Sequence, residues 1–339
     1  MIIKILSTIG PTTCEKKNLV KLLNYSDILR TNASHNSIKW HENISQLIKS
    51  INPNAIHLFD IPGVKPRTIN KKKILIKKNE KILFYYKNIT NIKSKLKKIE
   101  LSKSLPRFKT IPKKFSVSDG QFFFDLLDFN NNFVIGKSNS DFALLPHKGL
   151  NIPGSIYDDE LQLIHYKNFL KKSKSVKYDA IGLSFIQSRK VIDSIRKIYN
   201  DKIILSKVEN LYSLKNIKEI VDASDAIMID RGDLSAEIGS HNLFNSVLEI
   251  SEETKKQGKP LIMATENLDS MMNRNQPTKS EIISLELNFL LGSDYVMLSD
   301  ETATSDNWEN TLKWLYDYQY KSKPLKINFN QKLEKNNEN

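Results

Sequence analysis

Eight short apolar runs recur along this 339-residue chain, and an amphipathic stretch follows each of them. The runs are Ile2–Leu6, Asp27–Arg30, Ala55–Phe59, Ala180–Leu183, Ile203–Leu205, Ala226–Ile229, Pro260–Met263 and Tyr295–Leu298. The stretches between them are Cys14–Leu23, Ile38–Ile51, Asp158–Lys171, Arg189–Tyr199, Leu211–Val221, Asn242–Gln257, Lys279–Leu291 and Glu309–Tyr318. Near-continuous apolar strands that alternate with helices belong to a parallel sheet buried on both faces. Eight such units in roughly 250 residues match the count and size of an α/β fold of the (β/α)8 TIM-barrel type. An open doubly wound sheet is the alternative, but no glycine-rich dinucleotide turn follows any run.

One segment breaks the rhythm. From Ile69 to His147 the chain carries strand-like pieces (Ile74–Ile76, Lys81–Tyr86, Phe133–Gly136) and turn signals at Ser118-Asp119-Gly120 and Asn130-Asn131-Asn132. The expected organisation is therefore a barrel over residues 1–68 and 148–321, with a small β-rich domain at 69–147 inserted after the third strand. Residues 322–339, rich in Lys and Asn, are expected to be a disordered tail.

Charge follows the same division. Between Ile69 and Lys114, 15 lysines and one arginine stand against two glutamates, which accounts for the whole formal net charge of +14. A locally basic segment reads first as a solvated surface. A patch for anionic partners is the alternative, and nucleic acid is not the expected partner. The single cysteine, Cys14, excludes an intrachain disulfide and a Cys-rich zinc module, which fits a reducing, cytoplasmic setting. No apolar run approaches the roughly 18 residues of a membrane helix. Met1–Ile9 contains a lysine and runs straight into Gly10-Pro11, as a buried first strand does and a signal peptide does not.

Catalytic groups of a barrel gather where strands end. Here strand two ends in Arg30-Thr31-Asn32-Ala33-Ser34-His35, strand three in Asp60, strand four in Ser184-Phe185 and strand five in Lys207-Val208-Glu209-Asn210. Strand six ends in Asp230-Arg231-Gly232-Asp233, strand seven in Thr265-Glu266, and strand eight in Ser299-Asp300-Glu301-Thr302. Glu209 and Asp233 offer two carboxylates from adjacent strand ends, which suits Mg²⁺ with waters and substrate oxygens completing its shell. Lys207, two residues before Glu209, shares its strand face. Arg30 adds a second fixed cation. Metal, lysine and arginine together are what phosphoryl transfer needs, because the moving group carries spread negative charge. The amides at Gly232 and Asp233 suit a carboxylate or phosphate oxygen. Thr265 brings an uncharged hydroxyl suited to orienting a proton-relay water.

Plainer readings stand beside these. Lys207 and Glu209 also fit a structural ion pair, Asp233 a helix N-cap, and Arg30 a simple partner of Asp60. The six histidines lack ligand spacing and read as surface or packing groups. Trp40, Trp308 and Trp314 read as packing.

Longer strings resemble the pyruvate kinase family. They are Ile9-Gly10-Pro11, Arg30-Thr31-Asn32-Ala33-Ser34-His35, Lys148-Gly149-Leu150-Asn151-Ile152-Pro153-Gly154, Ser206-Lys207-Val208-Glu209-Asn210, Asp230-Arg231-Gly232-Asp233-Leu234, Ala264-Thr265 and Leu298-Ser299-Asp300-Glu301-Thr302-Ala303. The resemblance implies a barrel with a lid domain inserted after strand three. It implies phosphoryl transfer from phosphoenolpyruvate to ADP, giving pyruvate and ATP. Glu209 and Asp233 correspond to the Mg²⁺ ligands, Lys207 to the phosphoryl-stabilising lysine, and Arg30 to the arginine facing the transferred phosphate, with Asn32, Ser34 and Asp60 beside it. The Gly232 and Asp233 amides correspond to the cradle for the substrate carboxylate. Thr265 is similar to the threonine near the enolate, and Asp119 to the lid aspartate.

The departures from that pattern carry expectations too. Asp60 is followed by Ile61-Pro62-Gly63-Val64-Lys65-Pro66-Arg67 where the family usually has Thr-Lys-Gly-Pro-Glu/Lys-Ile-Arg. A lysine at Lys65 resembles the K⁺-independent members, so no K⁺ requirement is expected. Asp230, Glu266 and Asp300 stand where the family has Ala, Gln and Gly, Ser235 replaces a glycine, and Gln187 an arginine. The added acid should weaken binding of an anionic substrate. The sequence stops after the eighth helix, so an oligomer without the family's C-terminal-domain interface, and no sugar-phosphate activation, are expected. Two other functions remain open: a paralogue doing Mg²⁺ and enolate chemistry on another pyruvate- or enolpyruvate-bearing compound, and a non-catalytic binding protein using the basic segment.

Overall fold

The structure is a computed structural model that describes residues 3–87 and 96–321. Eight parallel strands close into a barrel in sequence order. They are β1 (Lys4–Thr8), β2 (Ile28–Asn32), β3 (Ile56–Ile61), β4 (Ala180–Leu183), β5 (Ile203–Val208), β6 (Ala226–Asp230), β7 (Leu261–Ala264) and β8 (Tyr295–Leu298). Closure pairs Lys4 with Tyr295 in parallel register. The expected barrel is therefore the observed fold, and the doubly wound alternative falls away. The expected 322–339 tail lies outside the described residues.

Two apolar layers hold the barrel. Leu6, Leu58, Leu205, Met228, Ile262 and Met297 fill its inside. Outside, the alternate side chains of the same strands pack on helices, as Phe59, Ile181, Ile204 and Ile227 do against Tyr166, Val191 and Ile220. Full burial on both faces is why these strands read as unbroken apolar runs.

The helices are α1 (Lys16–Tyr25), α2 (Ile38–Ile51), α3 (Asp159–Lys172), α4 (Arg189–Arg196), α5 (Leu211–Lys215), α6 (Ile217–Ala223), α7 (Arg231–Ile238), α8 (Leu243–Lys256), α9 (Lys279–Leu290), α10 (Asp300–Ala303) and α11 (Trp308–Lys321). Side chains start several of them: Asp158 accepts from the Glu160 and Leu161 amides, and Thr278 with Glu281 forms a capping box. The single helix expected over Leu211–Val221 is instead α5 and α6, divided at Asn216, whose side chain donates to the Gln187 carbonyl at 2.7 Å. Among the described residues, no helix is long and apolar enough to cross a membrane.

The basic insertion builds its own sheet. Lys114–Val117, Phe122–Phe129, Phe133–Ser138, Lys81–Tyr85, Lys97–Glu100 and Leu150–Asn151 form six strands. Phe84, Phe115, Phe124 and Phe142 lead a core separate from the barrel's. Lysine stems cover the outside while these aromatics fill the inside, so the +14 excess and an apolar core coexist. Several contacts tie the insertion to the barrel mouth. Lys103 donates to the Gly63 carbonyl at 2.6 Å, and the turn at Gly120 lies against α7, where an added Cβ would stand 3.1 Å from the Ala236 Cβ.

Candidate active site

The parallel strands end level with one another, and this brings their polar ends together. Register pairs Val208 with Ile229, so one step on Glu209 lies beside Asp230. Lys207, the penultimate residue of β5, points the same way as Glu209. Its Nζ stands 2.9 Å from Glu209 Oε1, 3.2 Å from Asp230 Oδ2 and 3.4 Å from Asp60 Oδ2. The Lys207–Glu209 pair therefore exists, as one hub of a larger charged network.

Arg30, in the middle of β2, is committed in the ground state. Its guanidinium reaches Asp60 Oδ2 through Nη2 at 2.8 Å and through Nε at 2.9 Å, and Nη1 donates to Thr8 Oγ1 at 2.9 Å. Asp60 also accepts from Ser184 Oγ at 3.2 Å. Asn32 and Ser34, expected beside this group, hydrogen-bond to each other: the Ser34 amide donates to Asn32 Oδ1 at 3.0 Å, and no contact joins either to Lys207, Glu209 or Asp233.

Asp233 takes its partners from elsewhere. It is not the N-cap of α7, since Asp230 holds that position and makes no capping bond. Asp233 Oδ1 accepts from Asn151 Nδ2 at 3.1 Å and forms an ion pair with Lys65. Lys65 Nζ also stands 3.3 Å from Asp119 Oδ1 on the insertion and 5.3 Å from the centre of the Phe185 ring. Asp60 and Lys65 correspond by resemblance to the family's monovalent-cation region, and here they take different partners. Lys65 faces Asp233, while Asp60 faces Arg30 and Lys207. The buried ammonium needs room that only Gly149 leaves, because a Cβ there would lie 2.5 Å from Lys65 Cε.

Thr265 holds a left-handed backbone (φ 62°), as does Glu266 (φ 52°). Two successive non-glycine residues in that region cost energy, so something must hold them. Arg231 does so. It donates to the Thr265 carbonyl, to the Glu266 carbonyl at 3.0 Å and to Asn267 Oδ1 at 2.9 Å. The Thr265 hydroxyl donates to the Ala264 carbonyl at 2.7 Å and accepts from the Gly232 amide at 3.1 Å. The Gly232 amide, expected as part of an anion cradle, is therefore taken by Thr265.

Burial and charge compete at each ionisable group. Burial works against the Lys207 charge, but Asp60, Glu209 and Asp230 outweigh it and hold the ammonium protonated. Burial pushes the Glu209 carboxyl up to about 8 and also raises Asp230. For Asp233, burial is overcome by the Lys65 ammonium, which holds the carboxyl down at about 2. One oxygen each from Glu209, Asp230 and Asp233 lies within 4.8 Å of the others. Glu209 Oε1 is buried and, apart from its ion pair with Lys207, accepts no hydrogen bond. Three carboxylate oxygens with no sulfur or imidazole among them fit a hard cation such as Mg²⁺.

The family model described as "Pyruvate kinase, barrel domain" matches residues 2–311. The chain belongs to the pyruvate kinase family. Relatives include the pyruvate kinase of Encephalitozoon cuniculi, 28% identical over 320 residues, covering 92% of this chain and 73% of the relative. The pyruvate kinase of Thermococcus litoralis is 29% identical over 313 residues, covering 88% of this chain and 65% of the relative. That of Debaryomyces hansenii is 31% identical over 322 residues, covering 88% of this chain and 62% of the relative.

The departures from the pyruvate kinase pattern sort by place. Glu266 and Asp300 are exposed, and Asp230 alone of the three added acids is buried. Gln187 is absorbed into structure: it accepts from the Tyr157 amide at 3.0 Å and donates to Asn210 Oδ1 at 3.1 Å. Sequence reasoning assigned no role to Arg231, Asn151 or Glu237. Arg231 and Asn151 lay in the quoted strings, yet a backbone brace and a carboxylate's amide partner leave no spacing signal of their own.

Proposed function

We propose that this protein is a Mg²⁺-dependent phosphotransferase that moves the phosphoryl group of phosphoenolpyruvate to ADP. The observation that carries the proposal is the seating of a charged Lys207 2.9 Å from Glu209, within a group of carboxylates at the level strand ends. In the transfer, the bond from phosphorus to the enol oxygen breaks and a bond to a terminal phosphate oxygen of ADP forms. The enol oxygen keeps the electron pair, and a proton added at the methylene carbon completes pyruvate. Glu209 and Asp233 would hold Mg²⁺, which would supply charge neutralisation at the transferring group.

The chain's own residues do the rest. Lys207 offsets the charge that develops as the phosphorus–oxygen bond lengthens. Arg30 trades part of its Asp60 contact for the phosphoryl oxygens, and the buried carboxylate of Asp60 keeps it aimed. Thr265, braced by Arg231, orients the water that delivers the proton. The amide of Asp233, in the first turn of α7, receives the substrate carboxylate. Asp119, reaching Lys65 from the insertion, closes the site against water. Lys65 is a fixed internal cation, so turnover needs no K⁺.

Pyruvate release from phosphoenolpyruvate, ADP and Mg²⁺ tests the proposal with wild type and Lys207→Met. Turnover in wild type that falls by about 10³ or more in the variant is the expected result. A second reading draws on one specific contact. Asp230 stands 3.2 Å from Lys207 and competes there with any anionic substrate, as a paralogue acting on a less charged enolpyruvate or pyruvate compound would tolerate. Wild type that binds oxalate in a Mg²⁺-dependent way yet releases no pyruvate from phosphoenolpyruvate would favour that reading.

A further inference from the structure

We infer that Asp230 is a third carboxylate ligand of the divalent-cation position, so the substrate-free protein binds the cation more tightly than Glu209 and Asp233 alone would allow. The inference rests on the proposed Mg²⁺ site and extends it to a residue outside the family pattern. Asp230 ends β6, Glu209 follows β5, and Asp233 sits in the first turn of α7. Their backbones are fixed by strand pairing, and their oxygens already lie within 4.8 Å of one another. Oxygens bound to one cation at about 2.0–2.6 Å are separated by up to about 5 Å, so one ion reaches all three without backbone movement.

The charge balance favours an added cation. Four buried or nearly buried carboxylates (Asp60, Glu209, Asp230 and Asp233) are answered by Arg30, Lys207 and Lys65. Asp119 takes a share of Lys65 as well. Asp230 has one ion pair, to Lys207, which it shares with Asp60 and Glu209, and beyond that only a long contact of 3.5 Å from the Thr265 hydroxyl. Buried carboxylate without a full counter-charge is costly, and a divalent ion removes that cost.

A separate observation points to a cation from the helix side. Glu237 lies one turn beyond Asp233 on the same face of α7 and is 3% exposed, and neither of its carboxylate oxygens has a hydrogen-bond partner. The charges it faces are Lys65, Asp233 and Glu209. Burial and the neighbouring Asp233 and Glu209 hold the Glu237 carboxyl well above the usual carboxylate range, so it gains its charge only if a cation comes close enough to offset them.

The test is Mn²⁺ binding to the full chain without substrate, read from the electron paramagnetic resonance of free Mn²⁺. Asp230→Asn keeps the side-chain shape, and Asp230→Ala supplies the small residue usual in the family. Wild type should bind one ion, and both variants should bind it about tenfold or more weakly, as loss of one ligand charge dictates. Thermal melts of each variant with and without Mn²⁺ give a second readout, with a smaller stabilisation by the ion expected in the variants. Should one variant fail to fold, the other decides. Variants that match wild type within about twofold would overturn the role of Asp230 and leave the metal site standing. Wild type that binds no Mn²⁺ would overturn the metal site itself, and this inference with it.

Discussion

The ammonium of Lys65 reaches from the segment after β3 to Asp119 on the insertion, at 3.3 Å, while ion-paired with Asp233 on the barrel. One side chain thus joins the carboxylates of the site to its proposed lid. The two halves of that bridge differ in weight. Lys65 is 3% exposed, whereas the Asp119 side chain is 54% exposed and solvent-screened. Lys65→Met leaves Asp233 buried without its cation and should cost about 3 kcal/mol. Asp119→Asn should cost less than about 1 kcal/mol. Urea unfolding of both variants checks the contrast, and equal losses would mean that Asp233 does not depend on Lys65.

Gly149 offers a gentler way to move the same ammonium. The atoms nearest a methyl group there all belong to the flexible end of Lys65. Gly149→Ala should therefore unfold at nearly the same urea concentration as wild type, within about 1 kcal/mol. It should nonetheless lower kcat/KM about tenfold, since Lys65 stays paired with Asp233 but is displaced from its resting position. Steady-state kinetics beside the melt separate the two effects.

Arg231 carries a prediction for the Thr265 turn. Its guanidinium fork satisfies three acceptors at once, which a lysine cannot do. Arg231→Lys should release the left-handed backbone at Thr265 and Glu266. We expect kcat to fall about 10²-fold with KM for phosphoenolpyruvate little changed. A fall in KM affinity alone would mean the turn binds substrate and does not orient the proton relay.

His57 predicts how stability depends on pH. Its Nδ1 donates to the Lys177 carbonyl at 2.7 Å, so Nε2 accepts from the Thr31 hydroxyl at 2.9 Å and the ring is neutral. Burial holds its pKa down at about 4, against 6.5 for a free histidine. The unfolded chain therefore binds the extra proton first as pH falls. Stability from His57 is complete above pH 6.5 and is lost progressively between 6.5 and 4. The loss amounts to about 3 kcal/mol at the acid end. Urea midpoints between pH 7.5 and 4.5 should fall in wild type (conditions spanning about three pH units) and fall less steeply in His57→Asn, where His35, His41 and His165 still contribute.

The barrel was legible because both faces of each strand are buried, and Ala180–Leu183 and Tyr295–Leu298 fall where the apolar runs begin and end. A helix start was legible at Arg231-Gly232-Asp233, but the extent of the eight-residue α7 was not, because polar residues open it and leave no apolar stripe. Strand alternation foresaw that Lys207 meets Glu209. It did not foresee that Lys65 meets Asp233, because a lysine's four-carbon stem reaches well beyond its own strand end and its target is set by the tertiary fold. Asp230 showed in the sequence as a departure from the family, and only its burial beside Lys207 separates it from the exposed Glu266 and Asp300.

Phosphorus-31 resonance spectra of phosphoenolpyruvate and ADP, followed over time with the purified chain and Mg²⁺, test the phosphotransfer directly. The account predicts that the phosphoenolpyruvate signal decays as the γ-phosphate signal of ATP grows in equal amount, and that Glu209→Gln abolishes both changes. Growth of inorganic phosphate in place of ATP, or equal rates in wild type and Glu209→Gln, would contradict it.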